Sequence, residues 1–443
     1  MNKSKNDKNR GIWEKIIEEY TRLRDMATSI ANFSEDFAIE STFFQLTLDY
    51  YHSYYDAFEK KIPIVLCNPG IPVEFLYSAN LFPLILEMYS IPISVAGKNH
   101  YDYIDFAENS GIMPWLCNNQ KTWIGAMLKG ETPKPDMLIH ADFPCDSTTI
   151  EMQIIKKYYN VPAFTFDVPY WHHEKNSIYY DERTVPYYVS QFRNMIKFIE
   201  KNTKSKFSFE KLKDTCKITN EARYHVIDIL ELLQHKPNPL SSDTSYAVYS
   251  TMMTHAGVPG KQIEYLKMLK DKGMQLVKNK TGHILQRYGK EEKYRCFWIA
   301  MPIYFDPLIF TWMEEKFQIS TVMNMMGNQT LVPVDLTSEE TILSDFSKNV
   351  LNLPMGRQLR GPLEYLLDDI VSAVDDYQAD FCIWGGHLGC KHSWGIANLV
   401  KRYVQEETGV PVLLFEVDDI DNRLVSSKII KKNIKNFVQN VIQ

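Results

Sequence analysis

Two stretches of this chain follow one plan: "PDMLIHADFPC" (135–145) and "ADFCIWGGHLGC" (379–390). Each starts near an aspartate, runs through apolar residues and ends on a cysteine. Each is followed by a helical stretch, a Val-Pro pair and a second apolar run, "VPAFTFDV" (161–168) and "VPVLLFEV" (410–417). Asp136 precedes Cys145 by nine residues and Asp380 precedes Cys390 by ten; from cysteine to proline the spacing is 17 and 21. Strand, loop, helix, strand implies a parallel sheet, because only a crossover of this length joins parallel strands. A duplicated α/β unit is therefore expected, one copy in each half.

Other strand-like runs are "IPIVLC" (62–67), "FPLIL" (82–86), "YRCFWIAMP" (294–302) and "QISTVMNMM" (318–326). At 443 residues the chain exceeds one ordinary hydrophobic core. The pattern predicts an N-terminal helical segment (1–58), a first α/β lobe (59–184), a helical connecting segment (185–292) and a second α/β lobe (293–443). Each lobe is read as a parallel sheet, and the strand ends of the two could face each other across one cleft. The formal charge of −6 argues against nucleic acid as a partner. No apolar run reaches the roughly 20 residues of a membrane helix, and the polar start "MNKSKNDKNRG" is unlike a signal peptide, so a cytoplasmic protein is expected.

Seven cysteines with no CxxC pair form no recognisable disulfide framework. Cys145 and Cys390 fall just beyond the carboxyl end of a strand, at the start of a helix. Ligands bind at that edge of open α/β sheets. Unpaired N–H groups there push a thiol toward thiolate, the form that attacks or ligates. Cys117, in "PWLCNNQKTWIG", has a similar setting, and two facing lobes would bring all three into one cleft. Three thiolates are compatible with zinc, with an iron–sulfur cluster or with a cysteine–histidine nucleophile. His387 and His392 read as surface or supporting residues. Cys216, Cys296 and Cys382 read as core filler.

With these pieces in order, the chain resembles the 2-hydroxyacyl-CoA dehydratase component family, which includes the 2-hydroxyglutaryl-CoA dehydratase D-component and benzoyl-CoA reductase subunits. The matching pieces are "NPGIPVEFLYSANLFPLILE" (68–87), "PWLCNNQKTWIG" (114–125), "DMLIHADFPCDSTT" (136–149), "VPAFTFDVPY" (161–170), "GKEEKYRCFWIAMP" (289–302), "ADFCIWGGHLGCKHSWG" (379–395) and "VPVLLFEVDDIDNR" (410–423). The resemblance implies two flavodoxin-like α/β lobes with a [4Fe–4S] cluster between them, held by Cys117, Cys145 and Cys390. It also implies a second homologous subunit, a separate ATP-dependent iron–sulfur activator and an acyl-CoA substrate, in the setting of anaerobic amino-acid fermentation. The implied reaction takes an (R)-2-hydroxyacyl-CoA through a ketyl radical to the (E)-2-enoyl-CoA. The alternatives are a benzoyl-CoA reductase-type subunit or a non-catalytic electron relay.

Counting from Pro72-x-Glu74, the resemblance adds Cys67 as a possible fourth cluster ligand and Glu87 as a proton donor or acceptor. Tyr170, Trp171, His172 and His173 are candidates to line the acyl pocket. Asp418, Asp419 and Asp421 with Arg423 read as helix capping and a salt bridge.

Overall fold

The computed structural model describes residues 5–31, 34–95, 100–168, 183–203, 206–299, 301–360 and 362–442. Its eight described strands form two sheets of four, all parallel. The first holds β1 (Ile64–Cys67), β2 (Phe82–Ile85), β3 (Met137–Ala141) and β4 (Ala163–Phe166), in the order β2-β1-β3-β4. The second holds β5 (Tyr294–Trp298), β6 (Ile319–Asn324), β7 (Phe381–His387) and β8 (Val412–Val417), in the order β6-β5-β7-β8. The two orders are the same. This is the expected α/β architecture of two flavodoxin-like lobes.

The repeat seen in the sequence recurs atom by atom. Asp136 accepts the Ile64 N–H at 2.7 Å through Oδ2, and its own N–H donates to the Ile64 carbonyl at 2.9 Å. Asp380 makes the same two bonds to Arg295, at 2.7 and 2.8 Å. The helices before β4 and β8 end on left-handed residues, Asn160 (φ 50°) and Gly409 (φ 71°). Asparagine and glycine are the residues that reach this conformation most cheaply. The prolines that follow have no N–H to donate, but their carbonyls accept Leu138 N–H and Cys382 N–H, both at 2.9 Å. Proline at the first position of an edge strand fits that ladder.

The central strands β1, β3, β5 and β7 are almost wholly buried, which accounts for their continuous apolar runs. Cys296 and Cys382 are fully buried within them, and Cys216 is buried on the helix Phe209–Leu232. Two helices, Lys5–Ile30 and Glu35–Glu59, cover the outer face of the first lobe. Ser34 caps the second by accepting Asp36 N–H at 3.2 Å. Tyr50 of that helix donates to the Pro83 carbonyl (3.1 Å) and accepts Ile85 N–H (3.0 Å), closing the free edge of β2.

Helices Thr184–Asn202, Phe209–Leu232, Thr244–His255, Lys261–Lys278 and His283–Tyr288 connect the lobes. A buried polar knot ties them down: Lys272 pairs with Asp36, and His283 sits 3.5 Å from Glu314 of the second lobe. Among the described residues, no helix is long and apolar enough to cross a membrane.

Candidate cysteine-lined site between the lobes

The carboxyl ends of the two sheets face one cavity of about 1010 Å³, counted with its open mouth. Cys117, Cys145 and Cys390 all line it, as does Glu87. Each cysteine is the residue immediately before a helix: Asn118–Leu128, Asp146–Tyr159 and Lys391–Trp394. Their loops are held in register. Asn68, after β1, donates to the Ala141 and Phe143 carbonyls at 3.2 and 2.7 Å and accepts Ala141 N–H at 3.0 Å, fixing the approach to Cys145. The Cys390 loop lies directly on the Cys117 backbone: a Cβ at Gly389 would come within 2.9 Å of Cys117 Cα. That approach requires glycine. Lys391 and Asp146 pair across the gap, so two of the cysteine-bearing helices are also joined by charge.

Burial pushes all three thiols up, Cys390 to about 12. N–H groups at the helix starts act in the opposite direction: Asn119 on Cys117, Ser147 and Thr148 on Cys145, His392 and Ser393 on Cys390. They do not prevail. The expectation that a helix N-terminus would hold these sulfurs as thiolates therefore fails for the protein alone, because desolvation outweighs the local dipoles.

Glu87 opens the helix Glu87–Val95 rather than ending a strand in solvent. Its Oε2 is buried without a hydrogen-bond partner, and burial raises its carboxyl to about 7. A second carboxyl, Glu151, sits on the helix that Cys145 begins. It is 1 % exposed, has no partner at either oxygen, and is raised well above the usual range by burial and by Glu87.

Opposite Cys117 is His387, the last residue of β7, with Nε2 3.1 Å from Cys117 Sγ. Its Nδ1 lies 3.0 Å from Asp419 and 3.4 Å from Asp418. Burial raises Asp419 to about 6, against the pull of His387. Tyr246, Tyr249 and Tyr304 line the far wall, with the Tyr246 hydroxyl donating to Tyr304 at 3.1 Å.

Cys67 is not brought to the other three cysteines. It is fully buried, does not line the cavity, and its Sγ lies 3.8 Å from the Leu84 carbonyl. The described cavity lining therefore includes Cys117, Cys145 and Cys390 but not Cys67. Tyr170, Trp171, His172 and His173 lie outside the described residues. Asp421 pairs with Arg423 at 2.7 Å, as expected. Asp418, however, shapes a turn rather than a helix: it accepts Ile420 and Asp421 N–H at 3.0 and 2.8 Å, and Asn118 Nδ2 from the first lobe at 2.8 Å.

Sequence reasoning assigned no role to Glu151 or the three tyrosines, and read Asp419 only as part of a capping and salt-bridge cluster. The one available signal was the paired acids directly after β8, at the same sheet edge as the cysteines.

A family model described as "2-hydroxyglutaryl-CoA dehydratase, D-component" matches residues 70–441. The chain belongs to this family. Curated relatives of the dehydratase type include the (R)-phenyllactyl-CoA dehydratase alpha subunit of Clostridium sporogenes, 22% identical over 83% of this chain and 87% of the relative. Another is the (R)-2-hydroxyisocaproyl-CoA dehydratase alpha subunit of Clostridioides difficile, 22% identical over 89% and 94%. A benzoyl-CoA reductase subunit of Thauera aromatica is 22% identical over 76% and 79%. The D-component match begins just after β1 and takes in the other seven described strands and all three cavity cysteines.

Proposed function

We propose that this chain is the cluster-bearing subunit of a radical 2-hydroxyacyl-CoA dehydratase, with Cys117, Cys145 and Cys390 as the protein ligands of a [4Fe–4S] cluster. The observation that carries the reading is the arrival of three cysteines from three separate loops at one cavity. The donor set suits such a group. Three thiols forced up by burial need a strongly positive partner to ionise, and metal binding supplies one. Three protein ligands leave one iron open. The bound cluster would supply single electrons and a Lewis-acidic site for a hydroxyl oxygen.

The chain's own residues take the remaining tasks. Glu87, with a carboxyl near 7, is poised to take a β-proton or to give one to the departing hydroxide. Because elimination removes one proton and one hydroxide, the reaction consumes no net reductant. His387 faces the Cys117 sulfur and, backed by Asp419, holds that loop. Ile91, Phe143, Met253, Met301 and Met326 give the cavity walls that keep water from a reactive intermediate. The relatives are each named as one subunit of an enzyme, which favours a second subunit for this chain too. An ATP-dependent activator belongs to the same proposal.

The test is anaerobic purification with the co-purifying chain, followed by iron and sulfide analysis and assay on 2-hydroxyacyl-CoA. The expected result is about four irons, falling on replacement of Cys117, Cys145 or Cys390 by Ser but not of Cys67. Enoyl-CoA should form without stoichiometric reductant. Reduction of an aromatic thioester instead would assign the benzoyl-CoA reductase type. Iron without any acyl-CoA turnover would leave an electron relay.

A further inference from the structure

A second pocket, of about 580 Å³ counted with its open mouth, adjoins the cysteine-lined cavity. The two share Pro69, Tyr249, Met253 and Leu353 as walls, so they lie side by side. Most of the second pocket is apolar, with Ile71, Val73, Ala256, Leu331 and Val350 among its walls. Four polar residues interrupt it: Glu74, Arg223, Gln329 and Asn349, the last with its amide spent on the Val332 backbone.

Arg223 is 4 % exposed. Its Nη2 donates to Glu74 Oε1 at 2.9 Å and its Nη1 to Asn220 at 3.1 Å, while the guanidinium lies 5.5 Å from the centre of the Phe346 ring. Its Nε is buried with no partner among the described residues, and so is Gln329 Nε2. Buried donors without acceptors are rare in folded proteins, and two in the wall of one pocket point to a ligand. The charge arrangement narrows the choice. Glu74 already neutralises Arg223, so a carboxylate entering the pocket would meet Glu74 as well as the donors. A neutral acceptor meets no such penalty.

Resting on the dehydratase reading, we propose that this pocket receives the far end of the acyl chain and selects a 2-hydroxyacyl thioester whose tail is apolar along its length and ends in a neutral hydrogen-bonding group. Arg223 and Gln329 donate to that group, and Glu74 disfavours tails that end in a carboxylate.

The test measures equilibrium binding to the intact complex of three saturated acyl-CoAs that lack the 2-hydroxyl and so cannot react. They have equal chain length and end in a methyl, a primary amide or a carboxylate. The amide tail is expected to bind about tenfold tighter than the methyl tail, the factor that one neutral hydrogen bond supplies, with the carboxylate tail weakest. Gln329→Leu should remove the preference for the amide. The tail series needs no variant, so it reads out even if the substitution disturbs folding.

Equal affinity for all three tails, or tightest binding of the carboxylate, overturns the proposal while leaving acyl-CoA binding intact. A Gln329→Leu effect of the same size on every tail and on free CoA also overturns it, because the pocket would then hold the pantetheine arm. Failure of every acyl-CoA to bind overturns both this proposal and the dehydratase reading beneath it.

Discussion

Glu87 gives the sharpest quantitative test. Burial moves its carboxyl from an ordinary 4.5 to about 7, and Oε2 has no compensating hydrogen bond. A carboxyl that binds its proton more tightly in the folded state lowers stability as pH rises. The penalty is absent below about 4.5, grows between 4.5 and 7, and is complete above 7. A difference of this size corresponds to about 3 kcal/mol at full ionisation. Glu87→Gln keeps the shape and removes the charge, so the variant should gain stability over the parent by an amount that depends on pH. Urea unfolding of the two proteins, run side by side from about pH 5 to pH 8, measures it. The difference should be small at about pH 5 and approach about 3 kcal/mol at pH 8. If the two stability curves run parallel across that range, the carboxylate is solvated or paired in solution. Glu87 would then be no candidate for proton transfer near neutrality.

Four further outcomes follow from the geometry. Glu151→Gln should also stabilise the protein at alkaline pH, since both Glu151 oxygens are buried without partners; unfolding at about pH 9 reads it, and no gain would mean an unseen partner. Gly386→Ala would drive a Cβ into the Trp394 ring, and overpacking of this kind costs about 1–3 kcal/mol, visible as a lower Tm. Asp136→Ala and Asp380→Ala should each lose about 1.5–3 kcal/mol, the range for a hydrogen bond to a charged group, and by similar amounts because the two aspartates make the same pair of bonds. Lys272→Met leaves the Asp36 carboxylate buried without its lysine partner, so a loss of about 3–5 kcal/mol in urea unfolding is expected.

The parallel lobes were legible because their signals are local. An aspartate before a strand, a Val-Pro pair and a left-handed helix end are all short-range devices, and each recurs at matching positions. The placement of Cys117, Cys145 and Cys390 next to helix starts was legible for the same reason. Their protonation was not. It depends on how deeply the closed cleft buries the sulfurs, and that follows from the packing of two lobes and a helical segment distant in sequence. Cys67 shows the limit from the other side: at the end of β1, a one-residue alternation decides whether a side chain faces the core or the cleft, and residue type alone does not fix it. Glu151 and the tyrosine wall were missed because helix periodicity reads a buried acid or tyrosine only as a break in, or part of, an apolar face.

The electrostatic character of the cleft has a single origin. Glu87, Asp419 and the three thiols are all raised by burial before any other influence. Among the described lining residues the sole lysine or arginine is Lys391, and Asp146 already holds it. The cavity therefore favours neutral acids and thiols over their anions. A cationic group bound among the sulfurs ionises the thiols as ligands, and three thiolates outweigh the two positive charges of a zinc ion or an oxidised [4Fe–4S] core, so the loaded site is net negative and nearby carboxyls become harder to deprotonate. Ligand binding and the proton affinity of Glu87 are thus coupled through one field. The coupling predicts that loading the three cysteines with such a group raises the Glu87 carboxyl further from about 7. The pH-dependent stability gap between parent and Glu87→Gln should then widen in the loaded protein. A gap that stays the same in loaded and unloaded protein would place the sulfurs and the carboxyl out of electrostatic reach of each other.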